Sequence, residues 1–312
     1  MSNFINNTDS LFYINSTENT FVVCESNFLK NIFYDKNNIL EKNKIKNICS
    51  QYKVDGMAIL FASKNYDLQW KFFNADGSSA KMCGNLARGL VYYLSKKSDY
   101  KKTEFLLLGP NNIIQSGYIK NNMPFISMPN SEIIKNSFDN YLQDIYSEAF
   151  LKNIPKIYNS VIYVCTGVPH ALVPIYSEDI NLLDIFTNFF NNAPSLKKKS
   201  LNLGDYKIQN FSDNLQKIIK KIRNQGDIGF NVTLFNPKTL KAISFERGVE
   251  NFSLSCGTGA CSLSYYLKTF VNQYKDSKEI TVKMPGGDLL INVEKKEYLL
   301  GGKCKIISLD LI

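Results

Sequence analysis

Histidine is nearly absent: the chain holds one, His170. No Cys-x-x-Cys pair stands beside it, so nothing supplies a zinc site and no metal is expected. No Gly-x-Ser-x-Gly elbow accompanies His170, so a Ser-His-Asp centre finds no support. No Gly-x-Gly-x-x-Gly opens a helix and no Walker loop exists, which removes the usual phosphate cradles. An apolar run of roughly 18 residues is missing, so no transmembrane helix and no membrane partner is expected. The first eight residues lack a basic stretch followed by an apolar one, so no secretory leader is expected either. Seven cysteines, an odd number and widely spread, fit free thiols in a reducing cytoplasm better than a disulfide framework.

What is there describes an ordinary globular protein. The 312 residues suggest about two domains. Hydrophobic residues make up 44% and charged residues 21%, which argues against disorder. Lys+Arg exceed Asp+Glu by 37 to 28, a formal charge of +9. The lysines come in short scattered runs such as Lys96-Lys97 and Lys197-Lys198-Lys199. A nucleic-acid binder gathers them on one stripe, so no nucleic-acid partner is expected.

The chain repeats itself. Residues 83–94, Cys-Gly-Asn-Leu-Ala-Arg-Gly-Leu-Val-Tyr-Tyr-Leu, align without gaps with residues 256–267, Cys-Gly-Thr-Gly-Ala-Cys-Ser-Leu-Ser-Tyr-Tyr-Leu. Seven of these twelve positions are identical. Upstream of each lies a pair of alternating apolar runs, 57–62 with 67–73 and 231–235 with 240–245. Downstream of each lie two more, 105–108 with 113–119 and 279–284 with 289–293. The pattern predicts an α+β fold of two pseudo-symmetric domains, residues 1–129 and 130–312. Each would be antiparallel strands wrapped around a central helix, with the active site in the interdomain cleft. Residues 176–224 read as a helical embellishment without a counterpart in the first half.

In both repeats Cys-Gly-Asn/Thr immediately precedes the helix, with Asn85 and Thr258 as good N-cap types. A helix N-terminus offers free N–H groups and partial positive charge, which lower a thiol pKa and hold a carboxylate. Two such sulfurs, Cys83 and Cys256, suit the inversion of a stereocentre. One thiolate removes a proton from one face of a carbon while the other thiol protonates the opposite face. Acid and base exchange roles in the reverse reaction, so they should be chemically alike. Cys24, Cys49, Cys165, Cys261 and Cys304 read instead as small packing residues. Glu246-Arg247, two charges just before the second motif, read as part of the site. His170 is equally a packed turn residue or a site residue.

These motifs resemble those of diaminopimelate epimerase, the pyridoxal-independent family with two catalytic cysteines. The similarity runs from about Leu11 to the C-terminus. It rests on Asn74-Ala75-Asp76-Gly77 with Met82-Cys83-Gly84-Asn85, and on Glu246-Arg247-Gly248 with Cys256-Gly257-Thr258-Gly259-Ala260. The resemblance implies an isomerase without a cofactor, acting in lysine biosynthesis. It implies Cys83 and Cys256 as base and acid, with the backbone of Gly84-Asn85 and Gly257-Thr258 holding the α-carboxylate. Asn19 would contact substrate, Asn74 and Arg247 its distal end, and His170 and Glu246 would lie beside the sulfurs. The partner is then a small amino-acid substrate, and a homodimer is a candidate assembly. The chain departs from the family at Glu18 and Thr20 (Gly and Asp there), Leu86 (Gly), Val168 (often Asn) and Asp227 (a substrate-binding Asn, with Asn231 a substitute). Asp227 in the distal site also suits a racemase of another amino acid such as histidine. A non-catalytic binding protein of the same fold is the third reading, against which the retained cysteines argue.

Overall fold

The computed structural model describes residues 11–26, 42–97, 102–139, 161–175, 190, 219–224, 229–247 and 251–308. The chain divides into two units, one of Met1–Ser127 with Leu300–Ile312, the other of Met128–Leu299. The expected partition at 129/130 had left the C-terminus with the second half. Instead the strand Cys304–Ser308 pairs antiparallel with Leu11–Ser16, from Phe12–Ser308 to Ser16–Cys304. The embellishment at 176–224 lies outside the described residues, apart from Phe190 and a helical turn at 219–223.

The first unit contains β1 (Leu11–Ser16), β2 (Asn19–Glu25), α1 (Lys42–Tyr52), β3 (Gly56–Phe61), β4 (Leu68–Asn74), α2 (Gly84–Lys96), β5 (Glu104–Leu108), β6 (Ile114–Lys120) and β7 (Met123–Ser127). The end of the chain adds β16 (Leu299–Gly302) and β17 (Cys304–Ser308). The strands lie in the order β16-β7-β6-β5-β4-β3-β2-β1-β17. Strands near both ends of this order, β7 next to one end and β17 at the other, touch α2, so the sheet curls around the helix. Ten of the thirteen residues of α2 are buried, as a helix enclosed on all sides requires. On β2 the continuous run Phe21-Val22-Val23-Cys24 is buried throughout, the pattern of a strand covered on both faces. Val22 and Cys24 face α1, whose Ile45 and Cys49 (i, i+4) join one core with Met57, Ile59 and Phe73.

The second unit repeats the plan. It holds β8 (Glu132–Asp139), β9 (Val161–Cys165), β10 (Pro169–Pro174), β11 (Asn231–Phe235), β12 (Ala242–Glu246), β13 (Asn251–Ser253), α3 (Gly257–Phe270), β14 (Glu279–Met284) and β15 (Gly287–Asn292). Six strands form a sheet in the order β13-β12-β11-β10-β9-β8, and β14 and β15 form a hairpin. In both units an antiparallel pair leads into a parallel one and then an antiparallel one: β1-β2-β3-β4 and β9-β10-β11-β12. The two-lobed α+β reading therefore stands, but the strands are mixed rather than purely antiparallel. A strand that returns to the sheet after a long connection can run parallel to its neighbour, as β2 and β3 do across α1.

Candidate active site

Both cysteines occupy the same position on the same element. Cys83 is the N-cap of α2 (φ −146°, ψ 103°) and Cys256 the N-cap of α3 (φ −128°, ψ 106°). Each carbonyl accepts the first helical hydrogen bond at 3.0 Å, from Ala87 N–H and Ala260 N–H. Asn85 and Thr258, expected as caps, sit at the second helical position instead. Gly84 and Gly257 are the first helical residues. Cys83 is half-buried and Cys256 buried, and none of the seven cysteines is in a disulfide. Cys165 and Cys304, expected as packing residues, are half-buried rather than enclosed.

In the first unit, strand register gathers the site residues at one end of the sheet. Phe21, Gly56 and Asn74 lie side by side on β2, β3 and β4. Asn19 opens β2 at that end, and its side-chain oxygen accepts from Asn85 Nδ2 at 3.3 Å. Asn19 Nδ2 donates to Asp55 Oδ2 at 3.0 Å, which also accepts from Thr20 N–H (2.7 Å) and the Thr20 hydroxyl (3.0 Å). Asp55 was not foreseen as a site residue. It supplies the carboxylate at a turn where the chain carries Thr20 in place of an acid. Asn74 lies at the same end, but its amide donates to Ser78 Oγ at 3.0 Å within its own turn.

The second unit builds the matching end. His170 pairs with Asn231 across β10 and β11, and Glu246 ends β12. Asn231 Oδ1 accepts from Arg247 N–H at 2.8 Å, so Asn231 shapes the turn that carries Glu246-Arg247. His170 lies within β10, fully buried, and not in a turn. Its Nδ1 is 2.9 Å from Thr233 Oγ1 and its Nε2 is 2.8 Å from Thr258 Oγ1. Thr258 Oγ1 lies 3.4 Å and His170 Nε2 4.0 Å from Cys256 Sγ. Thr233 Oγ1 is in turn 2.9 Å from Ser244 Oγ. The polar groups thus form a chain that runs from Cys256 through Thr258, His170 and Thr233 to Ser244. Thr233 and Ser244 escaped the sequence reading. The available signal was a directly opposed pair of hydroxyls, each between two apolar residues, Val-Thr-Leu facing Ile-Ser-Phe. Asp227 lies outside the described residues.

The electrostatics correct one expectation. Burial pushes the Cys256 thiol well above its ordinary pKa of 9.0, and the Glu246 carboxylate adds to this. Hydrogen bonds from Thr258, the Gly259 N–H and Ser244 oppose the shift without overcoming it. The helix N-terminus therefore does not make this sulfur a resting thiolate, because desolvation of the charged form outweighs the donors. Burial likewise takes His170 from 6.5 down to about 3, so the imidazole is neutral and donates from one nitrogen only.

No protein-family model matches the chain. A curated diaminopimelate epimerase of Helicobacter pylori (strain HPAG1) is 26% identical over 285 residues, covering 86% of this chain and 87% of that one. Among solved structures, a Bacillus anthracis phenazine biosynthesis protein of the PhzF family superposes with a TM-score of 0.60 at 13% identity, over 96% of this chain and 98% of that one. A hydroxyproline epimerase from Agrobacterium vitis does so with a TM-score of 0.56 at 10% identity, over 96% and 89%. The chain is therefore a sequence relative of the diaminopimelate epimerases, an isomerase by that relationship, in the two-domain fold it shares with PhzF proteins and proline-type epimerases.

Proposed function

We propose that the chain is a cofactor-independent amino-acid epimerase that interconverts LL- and meso-diaminopimelate, with Cys83 and Cys256 as the proton-carrying groups. The observation that carries this reading is the repeated placement of a cysteine as the N-cap of each unit's buried helix. The chemistry balances without a cofactor. A thiolate takes the proton from Cα, and the C–H electron pair is left on carbon and spreads into the carboxylate. The second thiol gives its proton to the opposite face, so thiol and thiolate exchange places. Cys256, held protonated by burial and by Glu246, is the donor at rest. That leaves Cys83 as the first acceptor. The N–H groups at Gly84-Asn85 and Gly257-Thr258 are the donors for the carboxylate that carries the developing charge, and removing one donor from comparable sites costs about 3 kcal/mol.

A racemase of another amino acid, histidine for example, keeps this chemistry and changes the distal contacts. It is favoured by the acidic residue Asp227 where the related family has an asparagine. Incubation in deuterium oxide separates the readings. Deuterium at Cα together with the inverted isomer is expected for diaminopimelate. Exchange confined to another amino acid selects the second reading, and exchange with neither overturns both.

A further inference from the structure

Arg88 is, among the described residues, the one charged side chain that is fully buried. It lies one turn after Asn85 on the helix that begins at Cys83. A buried guanidinium ordinarily meets a carboxylate. This one meets only neutral oxygens: Nη2 donates to Thr17 Oγ1 at 2.7 Å and Nη1 to the Gly301 carbonyl at 3.2 Å. Its Nε has no hydrogen-bond partner. So costly an arrangement calls for a role other than charge neutralisation.

The role is indicated by what Thr17 does. Thr17 and Glu18 form the two-residue loop joining β1 to β2, closed by the Ser16–Asn19 pair. Both adopt positive φ, 57° and 62°. Such a hairpin loop favours Asn-Gly, and a β-branched residue in that region is an outlier. The loop is held from outside. Glu18 N–H donates to Asn15 Oδ1 at 2.8 Å. Thr17 N–H and hydroxyl both donate to the Lys303 carbonyl, at 3.1 and 3.3 Å. The Thr17 oxygen accepts from Arg88. The next residue along is Asn19, which meets Asn85 and Asp55.

We propose that Arg88 is a positioning residue. It clamps the Thr17–Glu18 loop and the Gly301–Lys303 segment to α2, and so presents Asn19 to Asn85 beside Cys83. The returning C-terminal strand is thereby part of the first unit's half of the site. The inference rests on the reading of Asn19 and Cys83 as substrate-facing, but the hydrogen-exchange arm of its test does not.

The test is amide hydrogen exchange across residues 17–20 of the full chain, with steady-state kinetics alongside. In Arg88→Met these amides should exchange about tenfold faster. KM for the isomerised amino acid should rise about tenfold with kcat changed by less than about threefold. Thr17→Val keeps the guanidinium and removes its acceptor, and should show the same pattern at smaller size. Replacing Thr17-Glu18 with Asn-Gly in the Arg88→Met background relieves the backbone strain, and should return exchange and KM to within about threefold of the parent. If Arg88→Met does not fold, Thr17→Val against Thr17→Asn/Glu18→Gly carries the comparison. Unchanged exchange in Thr17→Val, or fast exchange in Arg88→Met that Asn-Gly does not slow, overturns the proposal. The exchange pattern in a protein that isomerises no amino acid overturns the proposed function and leaves the positioning role standing.

Discussion

At Cys256 the Thr258 and Ser244 hydroxyls and the Gly259 N–H compete with burial and the Glu246 carboxylate for the state of one proton, and the thiol form wins. The neutral imidazole beside it belongs to the same balance. Its depressed pKa also sets a pH dependence. Unfolded His170 binds a proton with a pKa of about 6.5, while the folded ring binds one only near 3. The stability it contributes is therefore present above about pH 6.5 and is lost as pH falls toward 3. Between about pH 7 and pH 5 this amounts to about 2 kcal/mol. Urea midpoints of His170→Gln should lack that portion of the acid loss, and an equal loss in the variant refutes the assignment. Since the chain has one histidine, its imidazole resonance can be followed without assignment, and it should not titrate in that range.

At the scale of elements, close approach decides how each helix meets its sheet. A Cβ at Gly259 would stand 2.7 Å from Ser244 Oγ, 2.9 Å from Thr233 Oγ1 and 3.1 Å from His170 Cε1. A Cβ at Gly89 would meet Ile14 Cγ2 at 2.5 Å and Ser16 Oγ at 2.7 Å. Alanine is favoured over glycine in a helix by about 1 kcal/mol. Overpacking costs about 1–3 kcal/mol, so both Gly→Ala variants should melt lower than the parent. Only Gly259→Ala should also perturb the His170 resonance, because only Gly259 lies against the His170 ring. A raised melting temperature in either would show that the helix can move away. These contacts were not legible in the sequence, since a glycine inside a helical pattern does not say which strand it lies against. The helices themselves were legible, because the repeated Cys-Gly-polar start precedes apolar runs on every face. The N-cap was misassigned for a physical reason: Asn and Thr are the better capping types, yet Cys83 and Cys256 take the extended backbone conformation of the cap without any side-chain cap bond.

Across the whole molecule, the duplication was readable because both copies kept the strand–strand–helix–strand–strand order that the apolar runs mark. The return of β17 to β1 was not, because a C-terminal strand carries no sign of which partner lies beside it. Nor was Asp55, since nothing local to it announces the Asn19 it binds. The account as a whole depends on a division of labour between two sulfurs, each at the head of its own copy of the repeat. The most direct measurement is the rate of Cα inversion and deuterium incorporation from deuterium oxide for diaminopimelate, in the parent, in Cys83→Ser and in Cys256→Ser. Each single variant should lose inversion by at least about a thousandfold, since residues acting as one unit fail together. Inversion within about tenfold of the parent in either variant would contradict the account.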